Sequence, residues 1–213
     1  MDFILDSSLV LYLPLYEPDG NSLMSKDHYG HLATVTGALW TPRGRTFDGV
    51  DDIITCGSVS QVNSLTAITI EAWAKHTVGG VLDVVTLVWK QGVIALGGGW
   101  VAHKAQFYPW TTTGQITSGA STTSIDDGNF HHIAGVYDGT YIRIYVDGVQ
   151  ENSNNVGAKT LETATGLLGV GARDAAPDDY LWAGTIGEIR VYNRALSALE
   201  VQQNCLRTKW RYV

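Results

Sequence analysis

Three aromatic side chains in one segment are the residues of this chain best suited to bind a ligand. The segment is GGGWVAHKAQFYPWTTTG (97–114), and it contains Trp100, Tyr108 and Trp110 among Gly, Thr and Gln. Aromatic rings stack on the C–H faces of sugars, while nearby polar groups bond the sugar hydroxyls. We therefore predict that these three residues bind a glycan, with Trp182, beside an acidic segment, as a further candidate. The alternative is that the rings pack in a core or in a subunit interface.

Carboxylates that could catalyse glycoside hydrolysis are not paired along the sequence. Retaining glycosidases need two carboxylates about 5 Å apart, whereas Glu71 and Glu188 each stand alone in their predicted strands. Arg143 and Arg190 occupy comparable outward positions in strands that we expect to be neighbours, and cross-strand ion pairs are a common way to stabilise a sheet face. The sequence also lacks nucleophile elbows, phosphate-binding loops and His-Glu-x-x-His motifs. We predict structural ion pairs and no enzymatic activity.

Metal-ligating patterns are sparse as well. His131 and His132 are adjacent, so on a strand they point to opposite faces and cannot both ligate one metal. We expect one of them to be buried and hydrogen-bonded and the other to face outward, and we predict no zinc site, since zinc normally needs three or four ligands. The acidic segments DGVDD (48–52) and PDDY (177–180) could ligate calcium. Solvated turns are the favoured interpretation of both, so we predict no cofactor.

Composition limits the partners of the chain. The formal net charge is −7 over 213 residues, and the Lys and Arg residues are scattered, so nucleic acid is not an expected partner. The most apolar stretch, VLDVVTLVW (81–89), is too short to cross a bilayer, and we predict no membrane insertion. Cys56 and Cys205 are far apart in the sequence. Two free, buried thiols are favoured, and a disulfide between them is the alternative.

Short strand patterns separated by Gly, Asp, Asn or Ser are spread evenly along the chain. The segment YIRIYV (141–146) alternates apolar and polar residues, and the pair Asp147-Gly148 that follows it is a strong hairpin-turn signal. This spacing predicts one all-β domain over residues 1–213, a two-sheet sandwich or jelly roll. The predicted strands lie near residues 9–13, 45–56, 67–75, 84–96, 100–108, 130–137, 140–150, 166–171 and 181–192.

A single short helix is predicted near the C-terminus, before a tail at 208–213. Ser197-Ala-Leu-Glu200 has the form of a capping box, and the helix should run from about 198 to 207. Leu199, Cys205 and Leu206 would form a modest apolar stripe. We expect this stripe to pack on a sheet edge or at one end of the sandwich.

Five segments taken together resemble the laminin-G-like branch of the concanavalin A-like lectin/glucanase jelly rolls. Each is a common β pattern by itself, whereas all of them in this order are specific, and the resemblance spans nearly the whole chain. The segments are LVLYLPLYE (9–17), RTFDGVDDII (45–54), ITIEAWAK (68–75), FHHIAGVYDGTYIRIYVDGVQ (130–150) and GTIGEIRVYNRALSALEV (184–201).

The resemblance implies two antiparallel sheets stacked face to face, one of them bent to give a concave outer surface. The family includes glycan-binding modules, adhesion domains and virion surface proteins. A related branch contains hydrolases whose carboxylates follow a Glu-x-Asp-x-x-Glu pattern that this chain lacks. Many relatives hold a structural calcium ion with an Asp that precedes the Glu of a GxIDExRxY-like segment. Here that position is Gly187, so the resemblance implies that this calcium site is lost.

The location of the protein is inferred from the same resemblance. Domains of this family act outside cells, yet the N-terminal segment MDFILDSSLVLYLPLYE lacks the pattern of an export signal. The tail NCLRTKWRYV (204–213) resembles the endings of phage-encoded members. We therefore expect a non-catalytic virion surface protein, a capsid decoration or a tail-associated piece, that docks on other virion proteins or on itself as a homo-oligomer through Trp210 and Tyr212, and that can bind cell-surface glycans. The alternative is an extracellular carbohydrate-binding or adhesion module cut from a larger secreted protein or glycoside hydrolase.

Overall fold

Two large antiparallel sheets form the protein. A computed structural model describes residues 6–18, 20–77, 85–98, 104–173 and 180–213 of the chain, and it confirms the predicted all-β, two-sheet fold. The strands are β1 Leu9–Pro14, β2 Ser22–Met24, β3 Leu32–Thr36, β4 Leu39–Thr41, β5 Gly44–Asp48, β6 Ile53–Thr55, β7 Ile68–His76, β8 Val85–Lys90, β9 Ile94–Gly98, β10 Ala105–Phe107, β11 Trp110–Thr111, β12 Gly114–Gln115, β13 His131–Tyr137, β14 Tyr141–Val146, β15 Val149–Asn155, β16 Leu168–Val170 and β17 Ala183–Tyr192.

The strand order shows how the chain alternates between the sheets. Sheet A has the order β15-β14-β13-β7-β17-β5-β4, with β1 also paired to β17. Sheet B has the order β10-β9-β8-β16-β6-β3-β2, and β11 and β12 form a separate two-stranded ribbon. Most neighbours are distant in sequence, so the sheets depend on long-range pairing. The exceptions include the β14–β15 hairpin, where Asp147 and Gly148 have φ values of 51° and 80°, the conformation expected for the Asp-Gly turn.

The main core lies between the two sheets. The alternating residues of β14 behave as predicted, because Ile142, Ile144 and Val146 all face this core and are at most 2% exposed. Strand β8 supplies Leu87 and Val88 to the same core across a β-bulge in its pairing with β9. Each strand therefore presents its other residues to the outer face of its sheet, and these two outer faces hold the polar and aromatic side chains of interest.

The outer face of sheet A is covered by the C-terminal helix α1, Ala198–Thr208. The predicted capping box is present, since the Ser197 hydroxyl accepts a hydrogen bond from the Glu200 amide while the Glu200 carboxylate accepts one from the Ser197 amide. A short 3₁₀ turn at Lys209–Arg211 follows the helix. Within the described part of the chain, no helix combines the length and the apolar composition that a membrane span requires.

The residues that attach α1 differ in part from the predicted apolar stripe. Cys205 is buried as expected, whereas Leu199 and Leu206 are 61% and 62% exposed, so that part of the prediction is wrong. The buried helix positions besides Cys205 are Val201, Asn204 and Thr208. Polar residues can face the sheet because they find hydrogen-bond partners there, and amphipathic periodicity alone does not reveal such pairs.

Both cysteines are free and buried, which confirms the favoured interpretation over a disulfide. Cys56 belongs to the core between the sheets, and Cys205, on the sheet-facing side of α1, packs against Trp73 and Tyr212. Burial raises the pKa of Cys56 to about 12 and the pKa of Cys205 to about 11. Both side chains are therefore protonated thiols at neutral pH.

Candidate functional site

One register row crosses the outer face of sheet B. The strand pairing places Trp89 opposite Gly169, Gly169 opposite Thr55, Thr55 opposite Thr34, and Thr34 opposite Ser22. Directly paired residues of neighbouring strands share a face, so all five lie on the side of sheet B that faces away from the core. With neighbouring strands about 4.8 Å apart, the row extends over roughly 19 Å.

A chain segment that crosses the sheet at Gly169 divides this row in two. A Cβ atom on Gly169 would lie 2.9 Å from the carbonyl oxygen of Ala172, so the chain that follows β16 crosses the sheet at this point. On one side of the crossing, Thr55 is half-buried and Thr34 and Ser22 are exposed. On the other side lies Trp89. The outer face of sheet B therefore has a hydroxyl-rich half and an aromatic half.

The aromatic half is built around two tryptophans. The Trp89 and Trp110 ring centroids are 5.0 Å apart, with the rings edge to face at 72°. Tyr108 meets Trp110 at 6.2 Å and 68°, and Tyr180 packs against the same cluster. The Arg173 guanidinium lies 5.7 Å from the Trp89 ring centroid and 5.1 Å from that of Tyr180. Trp110, Tyr180 and Arg173 are half-buried, while Trp89 and Tyr108 are 8% and 5% exposed. We call these five residues the aromatic cluster.

Backbone hydrogen bonds at the edge of sheet B position the cluster. The Tyr108 amide donates to the Ala95 carbonyl and the Trp110 amide donates to the Val93 carbonyl, both at 2.9 Å. These bonds continue the β9–β10 pairing beyond Phe107 and carry Tyr108 and Trp110 over the outer face. Trp110 then enters the β11–β12 ribbon. The half-exposed ring is therefore held by regular strand pairing on both sides, which preorganises it for binding.

Three buried polar atoms in or beside the cluster have no hydrogen-bond partner among the described residues. The Trp89 indole N–H, the Tyr108 hydroxyl and the Thr86 hydroxyl are buried and make no hydrogen bond within the described ranges. Burial raises the pKa of Tyr108, so its hydroxyl keeps its proton at neutral pH and can donate. Buried polar atoms are normally paired. These atoms therefore indicate a partner that the described residues do not supply, such as a water or a ligand oxygen.

The predicted glycan-binding residues differ in where the structure places them. Tyr108 and Trp110 are brought together on one surface, although the buried Tyr108 ring cannot serve as an open platform. Trp100 lies outside the described residues. Trp182 is 1% exposed and packs edge-on against His76 in the core, so the prediction that it forms a surface site is wrong. The position of a large indole next to an acidic segment does not reveal whether its side chain faces the core.

Two aromatic residues of the cluster were missed by the sequence patterns. Trp89 lies in VTLVWK, which reads as a continuous apolar run, and the β-bulge between Thr86 and Val88 shifts its side chain relative to simple alternation. Tyr180 is far from the segment 97–114, and its carbonyl accepts a hydrogen bond from the Thr86 amide. Only the pairing of distant strands brings these rings next to Trp110.

The predicted structural ion pairs lie beneath α1. Glu71 and Arg190 are directly paired across β7 and β17, with 3.7 Å between Glu71 Oε2 and Arg190 Nη1. Arg190 Nη2 also contacts Glu188 Oε1 at 2.5 Å. All three residues are 1% exposed. They therefore form a buried Glu–Arg–Glu cluster rather than the solvent-facing ladder that the sequence predicted.

Neighbouring side chains complete this buried cluster. Asn204 of α1 donates to Glu71 Oε2 at 2.9 Å, and the Trp73 indole donates to the Thr208 hydroxyl at 2.7 Å. Burial raises the pKa of Glu71 to about 7, against the lowering effect of Arg190. Burial and the Arg190 charge lower the pKa of His132 to about 3, so this imidazole is neutral. The carboxylates join α1 to the sheet and are closed off from a substrate.

Other charged residues pair locally. Arg143 contacts Asp138 at 2.7 Å, and the predicted partnership of Arg143 with the glutamates is wrong. His131 and His132 lie on opposite faces of β13, as predicted. Both are buried, however. His132 faces away from the core, but α1 covers it. His131 contacts Asp147 at 2.8 Å and Asp127 at 3.1 Å, which raises its pKa despite its burial.

The acidic segment 48–52 brings three carboxylates together. Oxygen atoms of Asp48, Asp51 and Asp52 lie within 4.8 Å of one another, a spacing that could hold a cation. Two of these residues also organise the turn itself. Asp48 Oδ1 accepts a hydrogen bond from the Val50 amide at 2.8 Å, and Asp52 Oδ2 accepts one from the Asp48 amide at 2.8 Å. The solvated turn without a bound ion stays the prediction for this segment, and calcium binding stays its alternative.

The space beside Gly187, where the resemblance implies a lost calcium site, is occupied by a side chain from the C-terminus. A Cβ atom on Gly187 would lie 2.2 Å from Cε1 of Tyr212. The Tyr212 ring also stacks on Trp73, with centroids 4.7 Å apart. The C-terminal aromatic ring therefore requires a glycine here. Because its ring is packed here, Tyr212 is only 2% exposed and is not available for docking, whereas Trp210 is 72% exposed.

Comparison with protein families identifies the relatives of this fold. Residues 48–202 match the laminin G type 3 model, which is described as the concanavalin A-like lectin/glucanases superfamily. None of the curated proteins compared with the chain matches it. Among solved structures, domain 4 of AbnA, an extracellular GH43 arabinanase from Geobacillus stearothermophilus in complex with arabinotriose, has a TM-score of 0.69 and 18% identity. The similarity covers 92% of this chain and 97% of that domain.

Two other solved structures are larger than this chain. The binding domain of Paraclostridial Mosquitocidal Protein 1 has a TM-score of 0.71 and 12% identity, with 93% of this chain and 52% of that chain covered. Trypanosoma rangeli sialidase in complex with sialic acid has a TM-score of 0.68 and 15% identity, with 99% and 34% covered. This chain thus spans about half of the toxin domain and a third of the sialidase. At these identities the similarity concerns the fold alone.

Proposed function

We propose that this chain, which belongs to the concanavalin A-like lectin/glucanase superfamily, is a carbohydrate-binding module without catalytic activity of its own. Its site is the aromatic cluster on the outer face of sheet B. The bound saccharide stacks on Trp110, and ordered water links its hydroxyls to the buried polar atoms next to that ring. The hydroxyl-rich half of the same face, with Thr34 and Ser22, lies in line with the cluster beyond the segment that crosses at Gly169, and it offers a second contact surface for a longer oligosaccharide.

The observation that carries this proposal is that the Trp110 ring is partly exposed and held in a fixed position. Its ring is half-exposed, yet the edge-to-face contact with Trp89 and the strand pairing hold it in place. A rigid, partly exposed indole next to buried hydrogen-bonding atoms that lack partners in the described residues combines the two features that a sugar site needs. An indole that served only the core would be buried, as Trp182 is.

The comparisons support the class of ligand. The arabinanase domain matches this chain over 97% of its own length, and its structure contains arabinotriose. Several other neighbours are binding domains of toxins. Fold similarity by itself does not assign a function, so the proposal depends on the aromatic cluster.

Binding of oligosaccharides to the wild type and to Trp110→Ala tests the proposal. Titration calorimetry with a panel that includes arabino-oligosaccharides should show at least one ligand whose affinity falls about tenfold or more in Trp110→Ala. Truncating a hot-spot aromatic costs about 2 kcal/mol or more, and about 1.4 kcal/mol corresponds to tenfold in affinity. Trp210→Ala is the matched control, because Trp210 is 72% exposed at the end of α1. Circular dichroism and thermal melting should show that both variants fold.

Two results would contradict the proposal. One is a panel without any bound saccharide, and the other is a bound saccharide whose affinity is equal in the wild type and in Trp110→Ala. Trp110→Phe keeps an aromatic platform, so it should retain part of the affinity if stacking is the cause.

The place of action is a separate question. We infer that the module acts outside cells, as the arabinanase that contains the similar domain is described as extracellular. The virion role stays a prediction from the sequence. So do the contact with other virion proteins, the alternative of self-association and the kinship to phage-encoded members. Of the two aromatic residues predicted to dock, Trp210 is the exposed one.

A further inference from the structure

A second register row lies on sheet A, at the end that α1 leaves uncovered. Leu39 is paired with Thr46, Thr46 with Thr185, and Thr185 with Lys75. These four residues therefore share the outer face of sheet A. Leu39 and Lys75 are exposed and the two threonines are half-buried. This row is on the opposite side of the sandwich from the aromatic cluster, so a ligand here would be independent of the site proposed above.

Two cavities border the β4–β5 hairpin, one of about 440 Å³ and one of about 320 Å³. The smaller one opens over this row. Its wall on the α1 side is the Phe130 ring, which is braced by Tyr212 at a centroid distance of 5.1 Å. Its lining consists of Thr41, Pro42, Arg43, Lys75, Phe130 and Thr185. We call it the cationic cavity.

The charge of this cavity is opposite to that of the protein. The chain has 21 acidic and 14 basic residues, yet two cations and no carboxylate line the cavity. Neither Lys75 nor Arg43 has an ion-pair partner among the described residues, whereas Arg143, Arg190 and Arg194 are all paired. Two unpaired like charges in one cavity repel each other, and an anion placed between them would relieve that repulsion.

Hydroxyl groups supply a directional donor beside the cations. The Thr46 and Thr185 hydroxyl oxygens are 3.1 Å apart, so one of them donates to the other. The accepting hydroxyl keeps its own proton, which can point to a ligand oxygen. Ammonium, guanidinium and hydroxyl donors around one cavity match the oxygen atoms of a carboxylate or a sulfate.

We propose that the cationic cavity binds the carboxylate or sulfate group of an acidic oligosaccharide. Lys75 and Arg43 hold the anionic group, the threonine pair contributes a hydroxyl donor, and Phe130 contacts the apolar face of the sugar ring. Because only two cations line it and the protein as a whole is acidic, the cavity suits a short anionic saccharide rather than a nucleic acid, which needs many phosphate contacts.

Titration calorimetry with defined saccharides tests this site. The probes are trigalacturonate, a sulfated tetrasaccharide, a neutral maltotetraose and a single-stranded oligonucleotide. At least one of the two acidic saccharides should bind more tightly than maltotetraose, with an affinity that falls as salt is added. Lys75→Gln and Arg43→Gln should each weaken that binding about tenfold, the loss expected for a charge-assisted hydrogen bond.

The controls separate a local site from a general charge effect. Lys159→Gln changes the net charge equally and lies elsewhere, where its ammonium bonds the Thr113 hydroxyl at 2.9 Å, so it should bind as the wild type does. Trp110→Ala should also leave this binding unchanged, so that a failure here and a failure of the sheet B site are distinguishable. Equal losses in Lys159→Gln and Lys75→Gln, preference for maltotetraose, tighter binding of the oligonucleotide, or no binding of either acidic saccharide would each overturn the proposal.

Discussion

Replacing Arg190 by Met removes the only cation that the described residues place between Glu71 and Glu188. Arg190 contacts Glu188 at 2.5 Å and Glu71 at 3.7 Å, and all three are 1% exposed. Met is unbranched and fills a similar volume, so the loss of charge is the main change. Without the guanidinium, two carboxylates are left close together in a buried site.

The expected loss follows from this burial. Removing one partner of a buried ion pair typically costs about 3–5 kcal/mol, since the remaining charge is desolvated without compensation. For a chain of this size each kcal/mol lowers the Tm by about 2–4 °C, so Arg190→Met should melt roughly 6–20 °C below the wild type.

Arg194→Met is the matched control. Arg194 contacts Asp6 and Glu200 at 2.8 Å each, but its side chain is 38% exposed, and exposed pairs contribute about 1 kcal/mol or less. Calorimetry and denaturant unfolding should therefore separate the two variants clearly. Adding Glu71→Gln and Glu188→Gln to Arg190→Met should restore part of the loss. Equal destabilisation by Arg190→Met and Arg194→Met would refute the reasoning.

Two further predictions concern the same side of the molecule. The folded-state pKa of Glu71 is raised from 4.5 to about 7 by burial, so its contribution to stability is complete below about pH 4.5 and is lost as the pH rises through 7. Glu71→Gln should remove a decline of about 3 kcal/mol across that window, and an unchanged difference between variant and wild type from pH 4.5 to 7 in denaturant unfolding would contradict this. Gly187→Ala should destabilise by about 1–3 kcal/mol, because the new Cβ meets the Tyr212 ring at 2.2 Å. Thermal melting and denaturant unfolding should report it, while Gly20→Ala, with nothing within 4 Å, stays neutral.

Local chemistry made much of the fold predictable from the sequence. The Asp147-Gly148 turn depends on two residues that tolerate positive φ, and the helix start depends on the Ser197–Glu200 capping box. Both are decided within a few residues, and both occur as predicted. The alternation of β14 likewise predicted its core face, since side chains in a strand alternate regardless of which strand lies beside it.

The sites depend on contacts that no local pattern contains. Trp182 and Trp110 are the same residue type in similar polar surroundings, yet one is buried in the core and the other lines a surface. Leu199 is exposed while Asn204 is buried, because Glu71, far away in the sequence, offers the amide a partner. Sequence therefore determined the residue types and the turns of this protein. Tertiary structure alone decided which rings and charges meet, because the register between distant strands sets the neighbours of every side chain.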